Sequence, residues 1–178
     1  MTDERQGEVL WAALAALPRG AGVVFRHHRT PPDERRRLYE KVRAVARRRR
    51  LVLVLAGPAR VAAAWRADGA HGRAIRRSIR PLLFTAPAHD RSELVAAREA
   101  GADLVFLSPL FATRSHPGGR TLGLVRFGMI AQAEPRTCVI ALGGMDATRA
   151  RRLRELGSYG WAAIDALTPN QKRKAVPT

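Results

Sequence analysis

Short apolar runs recur along this chain, and a stretch rich in Ala, Leu and Arg with helical spacing follows nearly every one. The runs are GVVF (22–25), LVLVLA (51–56), PLLFT (81–85), LVFLS (104–108), CVIAL (138–142) and WAAI (161–164), with a fainter one, DGAH, at 68–71. Strand-sized segments alternating with helical ones specify βα units and a parallel sheet. The runs are continuously apolar rather than alternating, so each strand is expected to be buried on both faces, as happens when helices cover the sheet. A closed barrel and an open doubly wound sheet both meet that requirement. The spacing predicts helices over 6–17, 32–49, 59–67, 92–100, 122–133 and 147–156, punctuated by Pro18, Gly57-Pro58 and Gly157. In the fourth, Leu94, Val95, Ala97, Arg98 and Ala100 mark an inward stripe, with Asp90 as N-cap and Glu93 three residues on.

With 178 residues, one domain with a sizeable core is expected, over residues 1–169, and residues 170–178 read as a basic flexible tail. No run approaches the length of a membrane span. The N-terminus carries Asp3 and Glu4 and lacks the basic-then-apolar order of a signal peptide, so a cytoplasmic protein is expected. The single cysteine, Cys138, cannot form an intrachain disulfide and reads as a buried structural thiol rather than a nucleophile. A net charge of +17 raises the question of nucleic acid. The arginines, however, are spread over nearly every predicted helix, dense only at 47–50 and in the QKRKA tail, with few aromatics between them for stacking. No specific nucleic-acid partner is expected, and oligomeric state is not legible.

Three segments of the second half, AHDRSELVAAREAGADLVFLSPLFATRSHPGGRTLGL, CVIALGGMD and GWAAIDAL, together resemble thiamine phosphate synthases and the related thiazole tautomerases. The first half agrees more faintly, through MTD, FRHH and ADGAH. The resemblance implies a (β/α)8 TIM barrel with its site at the C-terminal strand ends. MTD would then end the first strand, leaving most of that strand upstream of Met1 and the first strand truncated.

The resemblance also implies a transferase that joins hydroxymethylpyrimidine pyrophosphate to thiazole phosphate, losing pyrophosphate through a pyrimidine carbocation. Such chemistry needs cations and amides around the departing pyrophosphate, usually with Mg²⁺, and a second cradle for the thiazole phosphate. The family's Thr-x-Thr-Lys maps onto Thr113, Ser115 and His116, and its Gly-Gly onto Gly143 and Gly144. On the pyrophosphate side, its Gln-x-Arg-x-Lys maps onto Val24, Arg26 and His28, and Arg26 and His28 become the catalytic candidates. The Asn-Asp pair maps onto Ala56 and Gly57, and a second metal-binding Asp gives way to a stretch carrying Arg73, Arg76 and Arg77. The Mg²⁺ ligands of the family are thus absent, and no metal site is expected. Arginine forks can meet phosphate oxygens directly, so two readings stay open: a synthase compensated by arginine, or a degenerate or regulatory barrel that binds a phosphorylated ligand. Thr85 and Asp165, at ends of their strands, complete the candidate substrate-binding set with Arg73. His27, His71 and His89 are further rim histidines; His71 and His89 read as structural, the latter at a helix start. A thiazole tautomerase is the further alternative that the resemblance implies, although tautomerases carry His where this chain has Pro109, as synthases do.

Overall fold

The computed structural model describes residues 1–73, 81–113, 118–164 and 166. After a 3-10 turn at Glu4–Gln6 come α1 (Val9–Ala16), β1 (Gly22–Phe25), α2 (Pro32–Arg49), β2 (Val52–Ala56), α3 (Ala59–Ala64) and β3 (Gly69–His71). The second half runs β4 (Leu83–Ala88), α4 (Arg91–Glu99), β5 (Leu104–Leu107), α5 (Gly123–Ala133), β6 (Cys138–Leu142), α6 (Ala147–Ala150), a 3-10 turn at Arg154–Leu156, and β7 (Gly160–Ala162). All seven strands form one parallel sheet in sequential order, β1 to β7. This strand order excludes the doubly wound alternative, in which the order reverses at a switch point.

Two layers of core follow from the continuous apolar strands. Val24, Val54, Ala56, Phe106 and Ile140 pack together on one side of the sheet. On the helical side, Phe25, Leu53 and Leu55 meet Tyr39 and Val42 of α2, and Leu94, Leu107, Phe127 and Val139 form the second half's cluster. Each large side chain fully buried there contributes roughly 1.5–3 kcal/mol. Leu94 and Ala97 are buried as the stripe of α4 requires, whereas Arg98 leaves it to pair with buried Glu134 at 2.5 Å. At the N-terminal ends of the strands, Asp68 accepts the Leu53 N–H and Asp103 accepts the Phe84 N–H, both at 2.7 Å. The Ala-Asp before β3 and before β5 therefore pins each strand to its predecessor.

Several expected boundaries move. The strand expected at 81–85 runs instead over Leu83–Ala88, straight through Pro87. By the alternation of the ladder, the N–H that Pro87 lacks would face β3 beyond its last residue, His71, where no ladder bond is lost. The expected helix 147–156 breaks into α6 and a 3-10 turn, and the faint DGAH segment is a true central strand. Helix α1 begins only at Val9, because Asp3 and Gln6 form a capping box around the preceding turn and Gly7 follows at φ +47°. Before it, the Thr2 N–H bonds Val24 O at 2.9 Å and the Met1 amine bonds Ala163 O at 2.8 Å, so these residues touch both outer strands. The tail expected at 170–178 lies outside the described residues.

Candidate functional site at the strand ends

In a parallel sheet of βα units the C-terminal strand ends share one rim, where the loops converge. The β1 end supplies Arg26, His27 and His28. Buried Thr2 organises them: its hydroxyl accepts the Arg26 N–H at 3.0 Å and lies 2.9 Å from His27 Nδ1. His27 takes φ +44° and stacks on Phe25 at 4.8 Å, which makes it a structural pivot rather than a base. Arg26 is half-buried and His28 exposed. Burial, then Arg35 and Arg26, hold the His28 imidazole below its ordinary pKa.

The structure adds a residue that the sequence does not distinguish from its neighbours. Arg35, in the first turn of α2, donates to Arg26 O at 3.0 and 2.8 Å and to Ala56 O at 2.8 Å, with its guanidinium 5.6 Å from Phe25 and 5.4 Å from Trp65. A cation near a helix N-terminus opposes the helix dipole, and burial lowers its pKa. The three bonds that join the ends of β1 and β2 outweigh that cost. Arg35→Ala leaves both carbonyls short of a donor and is expected to lose about 1–3 kcal/mol in urea denaturation. A midpoint unchanged from the parent would refute this role. In sequence nothing separates Arg35 from Arg36 or Arg37, since only the fold shows which one reaches two carbonyls.

His71 ends β3 in register with Ala56 and Thr85, so it stands in the row that continues the inner core. Its Nδ1 lies 2.8 Å from Thr85 Oγ1, and its ring meets Phe106 edge-on at 5.3 Å. Burial, then Arg26, His28 and the N-terminal amine, lower its pKa to about 4. Thr85 is 1% exposed and also donates to Ala70 O at 3.5 Å. Its hydroxyl holds His71, and its route to any ligand runs through that ring.

Arg73 stands apart from this group. It is exposed and paired with Glu93 at 3.1 Å, and Glu93 also accepts His89 N and His89 Nδ1 at 2.9 and 2.8 Å. With Asp90 accepting the Glu93 N–H at 2.9 Å, this cluster starts α4, as expected for Asp90 and His89.

Across the rim, the loop after β5 lies against the loop after β6. Leu110 N–H bonds Leu142 O at 2.8 Å and Phe111 N–H bonds Gly143 O at 3.0 Å. A Cβ on Gly143 would stand 2.8 Å from Pro109 Cα, and one on Gly144 would stand 2.7 Å from Ala112 O. The glycines are thus required by loop packing. Arg149 donates to Gly144 O and covers the Phe111 ring at 4.5 Å. Ala112, the neighbour of Thr113 in the chain, lies against Gly144. Ser115, His116 and Asp165 lie outside the described residues, as do Arg76 and Arg77.

The donor set does not suit Mg²⁺, which takes carboxylate and water oxygens. Among the described residues no three His, Cys, Asp or Glu side chains gather to hold a metal. The strand-end positions of β2 and β3 are Ala56, Gly57 and Gly72, and Asp3, the nearby carboxylate, is clamped by Arg5 at 2.6 and 3.1 Å. Among the described residues no helix is long and apolar enough to cross a membrane.

Residues 1–167 match the thiamine monophosphate synthase family. The chain is 30% identical over 164 residues to a thiamine-phosphate synthase of Chloroflexus aurantiacus, covering 86% of this chain and 74% of that protein. It is 28% identical over 135 residues to a putative thiamine-phosphate synthase 2 of Aquifex aeolicus, covering 72% of each. A solved thiamine phosphate pyrophosphorylase from Pyrococcus furiosus shares the fold, with TM-score 0.76, 24% identity and coverage of 96% of this chain and 86% of that one. So does a KDPG aldolase from Legionella pneumophila, with TM-score 0.64, 13% identity and coverage of 96% and 82%. With residues 1–167 matching the family and a relative 30% identical across most of both chains, on a parallel βα sheet shared with a solved thiamine phosphate pyrophosphorylase, this chain belongs to the thiamine monophosphate synthase family.

Proposed function

We propose that this chain forms thiamine phosphate, joining hydroxymethylpyrimidine pyrophosphate to thiazole phosphate with release of pyrophosphate, as a cytoplasmic enzyme acting on small phosphorylated substrates. The observation that carries this reading is the presence, on one rim, of the β1-end residues Arg26 and His28 and of the loop before Thr113 packed on Gly143 and Gly144, in a chain whose residues 1–167 match the family. The carbon–oxygen bond of the pyrimidine pyrophosphate breaks, its electron pair leaves with pyrophosphate, and the thiazole nitrogen lone pair forms the new carbon–nitrogen bond. Arg26 and His28 meet the departing charge. Thr113, Ser115, His116 and the Gly143–Gly144 backbone hold the thiazole phosphate and aim its ring. Arg73 and Asp165 complete the rim, the former once released from Glu93, and Thr85 acts by fixing His71. The reading includes a barrel closed at the N-terminus, supported by the bonds of Met1 and Thr2 to both outer strands.

A second reading, a barrel that holds a phosphorylated ligand without turning it over, draws on the missing carboxylates at the ends of β2 and β3. A turnover assay with both substrates, with and without Mg²⁺, separates the two. Equal amounts of thiamine phosphate and pyrophosphate are expected. Arg26→Ala removes a charge-assisted phosphate contact and should lower kcat/KM by about tenfold or more. No product under either condition, with calorimetric binding of thiazole phosphate retained, would establish the second reading.

A further inference from the structure

The mouth formed by the ends of β1 and β3 lacks the donors for a divalent cation and holds cationic and imidazole groups instead. Arg26 follows Val24 by two residues, so strand alternation puts it on the side of the inner cluster, and His71 occupies the same side through its register with Ala56. His28 and the N-terminal amine lie close enough to influence His71. The carboxylates on this side are engaged: Asp3 by Arg5, and Glu4 by the Arg29 N–H at 2.8 Å. We propose that this mouth binds a pyrophosphate-class anion without a divalent cation, Arg26 and His28 meeting its charge while His71 takes up a proton at Nε2 as the anion arrives. The proposal rests on the function proposed above for the same rim.

The hydrogen bonding of His71 suits that role. With His71 Nδ1 donating the 2.8 Å contact to Thr85 Oγ1, the hydroxyl proton is left to turn towards Ala70 O at 3.5 Å and the lone pair stands on Nε2; the proposal takes this tautomer. Among the described residues Nε2 has no hydrogen-bond partner. Burial first, and then Arg26, His28 and the N-terminal amine, favour the neutral ring. A polyanion reverses the sign of that local field, and an imidazolium then becomes the favoured form.

The test is titration calorimetry of the full chain with inorganic pyrophosphate at pH 7, in EDTA and in excess Mg²⁺, each in two buffers of different ionisation enthalpy. Binding in EDTA is expected to be at least as tight as in Mg²⁺, with net uptake approaching about one proton. His71→Asn keeps a group that can reach Thr85 but cannot titrate, and should lose more than half of that uptake. Its folding is checked by circular dichroism. Arg26→Ala should weaken binding about tenfold or more, while Arg48→Ala, at an exposed position in the last turn of α2, should leave it unchanged. Tenfold tighter binding with Mg²⁺, no binding at all, or uptake undiminished in His71→Asn would each overturn the proposal. The two readings fail separately. Pyrophosphate bound in EDTA with proton uptake but no thiamine phosphate formed would remove the reaction and keep the site, whereas turnover solely with Mg²⁺ would do the opposite.

Discussion

Gly143→Ala is expected to melt roughly 5–15 °C below the parent chain, from a loss of about 2–5 kcal/mol. The cost has two parts. Gly143 sits at φ +97°, which an L side chain adopts at a cost of about 1–2 kcal/mol. Its new Cβ would also stand 2.8 Å from Pro109 Cα, 2.9 Å from Pro109 Cβ and 3.1 Å from Leu110 N, all on or beside backbone that cannot swing aside. Either the loop after β5 lifts away, breaking the Leu110–Leu142 and Phe111–Gly143 bonds, or β6 shifts. Gly20→Ala separates the parts, because Gly20 has a comparable φ of +80° but nothing within 4 Å of the added Cβ. It should melt roughly 2–4 °C below the parent. If thermal denaturation places the two variants together, the loop contact is not what the glycine serves. Because the same loop leads to Thr113, Gly143→Ala should also weaken binding of thiazole phosphate.

The second large effect concerns acid. An unfolded His titrates near pH 6.5, and His71 in the fold near about 4. Between those values the unfolded chain binds the extra proton, so the contribution of His71 is full above about pH 6.5 and is lost as the pH is lowered towards 4. The loss is on the order of 2–3 kcal/mol. His71→Asn should be flatter across that window. The Met1 amine, lowered by burial to about 5, and His27 and His28, also lowered by burial, add losses in the same direction in both chains, as do at lower pH the carboxylates held low in the fold, Asp3 by Arg5 and Glu93 by His89. The comparison of urea midpoints at pH 7.5 and 4.5 therefore isolates His71. Equal losses in the two chains would show that its ring is not what acid attacks.

Much of the architecture was legible because it is encoded locally. Continuous apolar runs such as CVIAL and breakers such as Gly57-Pro58 act over a few residues, and β6 falls on the residues read from sequence. Where reading stopped short, a longer-range fact intervened. Pro87 is a strand breaker by type, yet is admitted because β3 ends at His71. The places of the candidate residues were legible for the same reason: FRHH and Gly143–Gly144 are short motifs at the ends of apolar runs, and the structure puts them at the ends of β1 and β6.

What residue type could not supply was the assignment of one charge among many. In a chain with 32 lysines and arginines, the presence of arginine near a strand end carries little information. Arg35, Arg26 and Arg73 look equivalent as letters. The first braces two carbonyls, the second shares the inner mouth with His71, and the third is held by Glu93, 20 residues away. Sequence by itself determined the βα order, the parallel strands and the strand ends that carry the candidate groups, since hydrophobic period and turn chemistry are local. Tertiary structure alone decided which cations meet at the mouth and why Gly143 must be glycine, because those contacts join segments remote along the chain and depend on the sheet's register and curvature.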